Sequence, residues 1–118
     1  MYYERKMLTI YHNPRCSKSR QTLALIEENN QEVTVVEYLK NPLTKDNINN
    51  LLQALTVSPI EMMRTKEAEF KEQDLKNADD ETLINAMVST PKLIERPIVV
   101  KDNKAIIGRP PENVLTLF

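Results

Sequence analysis

The sequence predicts an α/β fold in which a mixed four-stranded sheet is built from a βαβ unit and a ββα unit, with helices between the two halves. Short apolar and β-branched segments near both ends of the chain predict the strands, and apolar residues at helical spacing fill the middle. The chain has 118 residues, the length of one domain with a single core. We therefore expect one domain over residues 1–118, with a helical insert over about residues 44–90.

The first half of the chain has the pattern of a βαβ unit. Residues 8–11 predict a strand, and the segment from Ser17 to about Asn30 predicts a helix. Residues 33–39 are almost continuously apolar and β-branched, which is typical of a buried parallel strand after a crossover helix. Three residues are expected on or near the inner side of the helix: Leu23, Ala24 and Ile26.

Capping residues predict the helices of the insert. Thr44 is typical of an N-cap, and apolar residues follow it at core spacing. Residues 58–61 form a capping box with proline at the first helical position, which predicts a second helix. This second helix is expected to carry Met62, Met63 and Arg64. A weaker pattern predicts a short helix from Phe70 to Leu75, and Asp79 caps a further helix that Pro91 ends.

The last quarter of the chain predicts a β-hairpin and a short helix. Residues 97–100 and 105–107 are β-branched and apolar, and the turn signal Asp102-Asn103 separates them. The only glycine, Gly108, follows the second strand, and residues 109–112 lead into the helix. A βαβ unit followed by a ββα unit is the thioredoxin-like arrangement, here with a helical insert.

The only cysteine, Cys16, stands where the first predicted strand gives way to the helix. A thiol at the first turn of a helix faces unpaired N–H groups and the positive end of the helix dipole, which favour the thiolate. Its neighbours are mostly polar, so we expect an exposed thiol rather than a buried hydrophobic cysteine. With no second cysteine, any redox cycle that begins here needs a thiol from outside the chain.

Composition excludes several classes of partner. Sixteen basic and 17 acidic side chains give a net charge of −1, so the chain has no overall field for nucleic acid, and no apolar run has membrane-spanning length. His12 is the only histidine, and one imidazole with one thiol does not make a metal site. A lone thiol and the absence of a secretory core in the first six residues predict a cytoplasmic protein.

Four motifs in order give a resemblance that covers nearly the whole chain. They are His12-Asn13-Pro14-x-Cys16-x-x-Ser19-Arg20, Arg64, Glu95-Arg96-Pro97-Ile98-Val99-Val100 and Gly108-Arg109-Pro110. This pattern resembles the ArsC family of glutathione- and glutaredoxin-coupled arsenate reductases, and most of all its YfgD-like branch. The resemblance implies that Cys16 attacks arsenate to form a thioarsenate, and that glutathione and glutaredoxin complete the reduction. It implies no bound cofactor, with glutathione as the reducing co-substrate.

The resemblance also implies roles for individual residues. The oxyanion would be held by Arg64, Arg96 and Arg109, whose guanidinium groups present fixed donor forks that suit tetrahedral oxyanions. His12 either tunes the thiol or has a structural role. The remaining residues implied to bind substrate follow the cysteine: Ser17, Lys18, Ser19 and Arg20.

Two of these residues have alternative roles, and the fold implies a backbone geometry. The Ser19 hydroxyl either bonds the thiolate or caps the helix, and it cannot resolve a disulfide. Arg20 lies one turn beyond Cys16 and has a structural ion pair with an acidic residue as its alternative. A thioredoxin-type fold commonly places a cis-proline opposite its thiol, which predicts a cis Arg96–Pro97 bond.

Two other functions use the same thiol. A regulatory adaptor similar to the Spx transcriptional regulators fits the fold, but such proteins carry a second cysteine where this chain has Ser19. A monothiol glutaredoxin-like oxidoreductase explains Cys16 and Ser19 and leaves the three arginines without a role. A phosphatase with a C-x5-R loop is disfavoured, because Arg20 comes too early after Cys16 and the loop has no glycine.

Overall fold

A computed structural model describes residues 7–118, and these fall into two compact units. The first unit comprises residues 7–37 and 96–118, and the second comprises Tyr38–Glu95. The first contains β1 (Leu8–Tyr11), α1 (Ser17–Glu28), β2 (Val33–Val36), β3 (Ile98–Lys101), β4 (Lys104–Ile107) and a 3₁₀ helix, Pro111–Leu117. The second contains α2 (Lys45–Leu55), a 3₁₀ helix at Pro59–Met62, α3 (Ala68–Glu72), α4 (Asp80–Ser89) and a 3₁₀ helix at Pro91–Leu93. The single domain over residues 1–118, with a helical insert over about residues 44–90, stays a prediction.

The four strands of the first unit form one mixed sheet in the order β2-β1-β3-β4. β1 pairs in parallel with β2, and β3 is antiparallel to both β1 and β4. Ile10 lies opposite Val35 on one side and Val99 on the other. The predicted α/β fold with a mixed four-stranded sheet is therefore confirmed.

The core of the first unit lies between the sheet, α1 and the 3₁₀ helix Pro111–Leu117. Its fully buried residues come from all of these elements: Leu8, Ile10, Ile26, Val99 and Val114. Burying an aliphatic side chain of this size stabilises a fold by roughly 1.5–3 kcal/mol. This packing holds α1 against the sheet, and Cys16 lies at the start of α1.

Gly108 stands where three segments of the first unit meet. A Cβ atom at this position would lie 2.6 Å from Thr22 Oγ1 in α1 and 2.8 Å from Pro97 Cγ. Its N–H also donates to the Pro97 carbonyl at 2.9 Å. The lack of a side chain therefore allows the backbone just before Arg109 to approach both α1 and the segment that carries Arg96.

Gly108→Ala is expected to lower the free energy of unfolding by about 1–3 kcal/mol, because the added methyl overpacks this contact. Chemical denaturation measures the free energy of unfolding of Gly108→Ala and of the double variant that combines Gly108→Ala with Thr22→Ala. Removing the Thr22 side-chain atoms should recover part of the loss in the double variant. Equal losses in the two variants would show that contact with Thr22 is not the cause.

The second unit confirms two predicted helix starts. The Thr44 hydroxyl accepts from the Asn47 N–H, and the Asn47 side chain accepts from the Thr44 N–H, which makes a complete capping box before α2. The Asp79 carboxylate accepts from the Thr82 N–H at the start of α4. Each cap satisfies a backbone donor that the first turn leaves unpaired.

Several predicted elements are corrected. The capping box at residues 58–61 starts only a 3₁₀ turn, so Met63 and Arg64 lie beyond its end. β2 ends at Val36 rather than residue 39, and it is an edge strand in which Val35 is 43% exposed, so it is not a buried strand. Ala24 is exposed on α1. The final helix is a 3₁₀ helix, and the 3₁₀ helix after Pro91 was not predicted.

Candidate active site

The loop between β1 and α1 places Cys16 at the start of the helix. The His12 N–H donates to the Val36 carbonyl at 2.8 Å, which extends the pairing of β1 with β2 by one residue. Cys16 is the N-cap of α1, with an extended backbone, and its carbonyl accepts the first helical hydrogen bond from Arg20 N–H. The thiol is therefore held at the helix N-terminus, as the sequence predicts.

The surroundings of the Cys16 thiol favour its thiolate form. Burial raises the pKa of this thiol, and hydrogen bonds from the N–H groups of Ser19 and Lys18 lower it. The positive charges of Arg96 and Arg109 lower it further, so the pKa lies below its ordinary value. The residue is only 8% exposed, which corrects the prediction of an exposed thiol.

Arg109 follows Gly108 and lies against the thiol. Its Nη2 is 3.7 Å from Cys16 Sγ, and its Nε donates to the Arg96 carbonyl at 2.9 Å. The second bond fixes the direction of the guanidinium group. A backbone carbonyl has no signature in a sequence, so sequence reasoning missed this contact.

Arg96 has buried donors without acceptors. Its Nε and Nη1 are buried and have no hydrogen-bond partner within residues 7–118. An unsatisfied buried donor costs about 1–3 kcal/mol, and a charged one costs more. An oxyanion beside Cys16 would supply the missing acceptors. The Arg96–Pro97 bond is cis, as predicted, and the Arg109–Pro110 bond is also cis.

His12 and Ser19 form a buried pair beside the thiol. His12 Nδ1 lies 2.6 Å from Ser19 Oγ, and Ser19 Oγ also accepts from the Asn13 N–H at 3.1 Å. Burial lowers the pKa of His12, and the charge of Glu37 opposes that shift. The Ser19 hydroxyl therefore binds the loop, and it is the Ser19 backbone N–H that reaches the thiol. The structure thus links His12 to Cys16 through Ser19.

The other predicted substrate residues have different surroundings. The side chains of Ser17 and Lys18 are exposed, and Arg20 Nη1 donates to the Pro14 carbonyl at 2.9 Å. Their contribution to substrate binding stays a prediction.

Arg64 belongs to the second unit. There its Nη1 contacts the Glu67 carboxylate, and its Nε lies 3.9 Å from Glu95 Oε1. Its backbone N–H donates to the Leu93 carbonyl at 2.7 Å. A role for Arg64 at the thiol stays a prediction.

Alkylation of Cys16 is expected to show an inflection with pH below the value of about 8.5 for an unperturbed cysteine. The thiolate is the reactive form, so the rate rises with pH until the thiol is fully ionised. Arg96→Ala should move the inflection to higher pH because one lowering charge is lost. The rate of reaction with iodoacetamide, followed by mass spectrometry, measures both. An inflection at or above 8.5 in the unmodified chain would contradict an activated thiol.

Residues 7–118 hold neither a cluster of metal-ligating side chains nor a helix that could cross a membrane. No three metal-ligating side chains cluster in residues 7–118. None of the helices there combines the length and hydropathy that a membrane crossing requires.

The family model described as the ArsC family matches residues 11–117. The chain belongs to the ArsC family. It is 52% identical to YfgD of Escherichia coli K12 over 115 residues, which cover 95% of this chain and 97% of that protein. It is 41% identical to an arsenate reductase of Haemophilus influenzae over 112 residues, which cover 92% and 97% of the two chains.

Solved structures support the same family membership. The chain superposes on an arsenate reductase from Vibrio cholerae with a TM-score of 0.93 and 43% sequence identity. That match covers 98% of this chain and 100% of the other. The fold predicted from the sequence is thus also the fold of solved ArsC-like relatives.

Proposed function

We propose that this protein is an arsenate reductase in which Cys16 is the nucleophile. One arrangement carries the proposal: a thiol whose pKa is lowered lies beside Arg109, and Arg96 has two buried donors that lack acceptors within residues 7–118. These groups suit a tetrahedral oxyanion that must be held while a thiolate attacks its centre. Relatives named arsenate reductase at 41–43% identity support the same substrate.

The reaction begins with attack of the Cys16 thiolate on arsenic(V). A sulfur–arsenic bond forms, and one oxygen of arsenate leaves as water after protonation. Glutathione then replaces a second oxygen, which also leaves as water, and its sulfur bonds to arsenic. Arg96 and Arg109 stabilise the charge on the remaining oxygens, and Arg64 is proposed as the third donor. Ser17, Lys18 and Arg20 are exposed, and their side chains are proposed to contact the substrate from the solvent side of the site.

Glutaredoxin completes the two-electron reduction. Its thiolate attacks the glutathione sulfur, a mixed disulfide forms, and the electron pair of the broken sulfur–arsenic bond stays on arsenic, which becomes arsenic(III). Water then cleaves the remaining bond to Cys16, releasing arsenite and the thiol. An external thiol is needed because the chain has one cysteine. No bound cofactor is required, and the need for glutathione suits a cytoplasmic location.

The test is direct measurement of arsenite from arsenate, with the purified chain, glutathione and glutaredoxin each omitted in turn. We expect arsenite only in the complete mixture, and an arsenic adduct on Cys16 when both thiol donors are left out. Arsenite at the same rate without glutaredoxin would contradict the coupling. No arsenite in the complete mixture, together with reduction of a glutathionylated peptide, would favour a monothiol glutaredoxin-like activity instead.

A further inference from the structure

The segment after β4 has to hold the Arg109 guanidinium at the thiol. Arg109 is exposed, so ordering its long side chain costs rotamer entropy, and a fixed backbone beneath it limits the positions that its guanidinium group can reach. The Arg109 N–H donates to the Ile107 carbonyl at 2.9 Å, and the Gly108 N–H donates to Pro97. These bonds use the N–H groups of Gly108 and Arg109. The Ile107 carbonyl, which has two lone pairs, and the Arg109 carbonyl can each accept from a further donor.

The side chain of Asn113 binds those carbonyls. Its Nδ2 donates to the Ile107 carbonyl at 3.2 Å and to the Arg109 carbonyl at 3.1 Å. A side-chain amide nitrogen has two hydrogens, so both are used. The two carbonyls lie on either side of Gly108. One amide group therefore holds the backbone that carries the Arg109 side chain.

Asn113 is itself fixed to the core of the first unit. Its N–H donates to the Pro110 carbonyl at 3.0 Å, and its carbonyl accepts from Thr116 Oγ1 at 2.8 Å. The next residue, Val114, is fully buried in the core. The amide is thus presented by a rigid element, which is the arrangement that holds a functional side chain precisely.

We propose that Asn113 is a positioning residue that sets the place of the Arg109 guanidinium at Cys16. The proposal rests on the proposed function, in which Arg109 binds the oxyanion. Leucine has the same branched shape as asparagine and has no donor, so Asn113→Leu removes both bonds without leaving a cavity. It should lower kcat/KM for arsenate by about tenfold, the loss expected when two hydrogen bonds of ordinary strength are removed.

A double-mutant cycle separates positioning from a general structural effect. Asn113→Leu and Arg109→Ala are made alone and together, and Glu112→Ala serves as the matched control because this neighbouring side chain is exposed. If Asn113 acts through Arg109, Asn113→Leu has no further effect once Arg109 is alanine. Three measurements are made: kcat/KM, the pH inflection of Cys16 alkylation, and protection of Cys16 by sulfate.

We expect Asn113→Leu to raise the alkylation inflection and weaken sulfate protection, and Glu112→Ala to leave both unchanged. Equal losses from Asn113→Leu in the presence and absence of Arg109 would overturn the proposal, as would no change in the three measurements. The alkylation and sulfate measurements need no arsenate turnover. A chain that fails to reduce arsenate would therefore overturn the proposed function and still report on the link between Asn113 and Arg109.

Discussion

Replacing Cys16 with serine is expected to bring arsenite formation down to background, a loss of roughly 10⁴-fold or more, because the attacking atom is removed. The N–H groups and arginine charges that lower the pKa of the thiol cannot ionise an alcohol at neutral pH. Serine is close to cysteine in size, so the helix start should be preserved. The measurement is arsenite release with glutathione and glutaredoxin in excess.

The control is oxyanion binding to the same variant. The N–H groups of Lys18 and Ser19 and the side chains of Arg96 and Arg109 are all unchanged in Cys16→Ser. Sulfate or arsenate binding, measured by calorimetry, should therefore persist while turnover is lost. Turnover within tenfold of the unmodified chain would mean that another group attacks arsenate and would contradict the proposed mechanism.

Local chemistry explains which helices were predictable. Thr44 and Asp79 satisfy backbone donors only three residues away, so their effect is contained in a few consecutive letters. Ser58 has the same chemistry, yet its capping box starts a single 3₁₀ turn. A cap specifies where a helix starts, and packing of the residues that follow decides its length.

Contacts between distant residues explain what the sequence did not reveal. Cys16 has polar neighbours in the chain and is nevertheless buried, and Arg109, 93 residues later, reaches its sulfur. The second strand is apolar enough for the centre of a sheet and lies at its edge, because strand order is set by the whole topology. Residue type alone therefore predicts neither the burial of Cys16 nor the place of the second strand in the sheet.

The same distinction between local sequence and distant contacts applies to the candidate site. The identity of Cys16, Arg96 and Arg109 was available from motifs, and the structure brings these three together. The partner of the Ser19 hydroxyl was open in the sequence, because a hydroxyl can bond a thiolate or cap a helix. The fold decides it by placing His12 Nδ1 within 2.6 Å.

Arg96→Ala is expected to lower arsenate turnover by about 10²–10³-fold, the usual cost of removing a donor from a site where charge develops. Stability should be unchanged or higher, because Nε and Nη1 of Arg96 are buried without acceptors within residues 7–118 and their desolvation is uncompensated until an oxyanion binds. Arg96→Lys should recover only part of the activity, since lysine keeps the charge and lacks the planar fork. Turnover and the free energy of unfolding in urea are measured on the same preparations.

Arg15→Ala is the matched control, because Arg15 is exposed and adjacent to Cys16 in the chain, whereas the charges that lower the pKa of the thiol are those of Arg96 and Arg109. Arg15→Ala should change neither arsenate turnover nor the free energy of unfolding. A loss of stability in Arg96→Ala that parallels its loss of activity would show that Arg96 supports the fold rather than substrate binding.

Added sulfate gives a second test of whether Arg96 binds the anion. Sulfate should raise the unfolding free energy of the unmodified chain, because an anion bound only to the folded state stabilises it. In Arg96→Ala that gain should shrink, since the buried donors that the anion satisfies are gone.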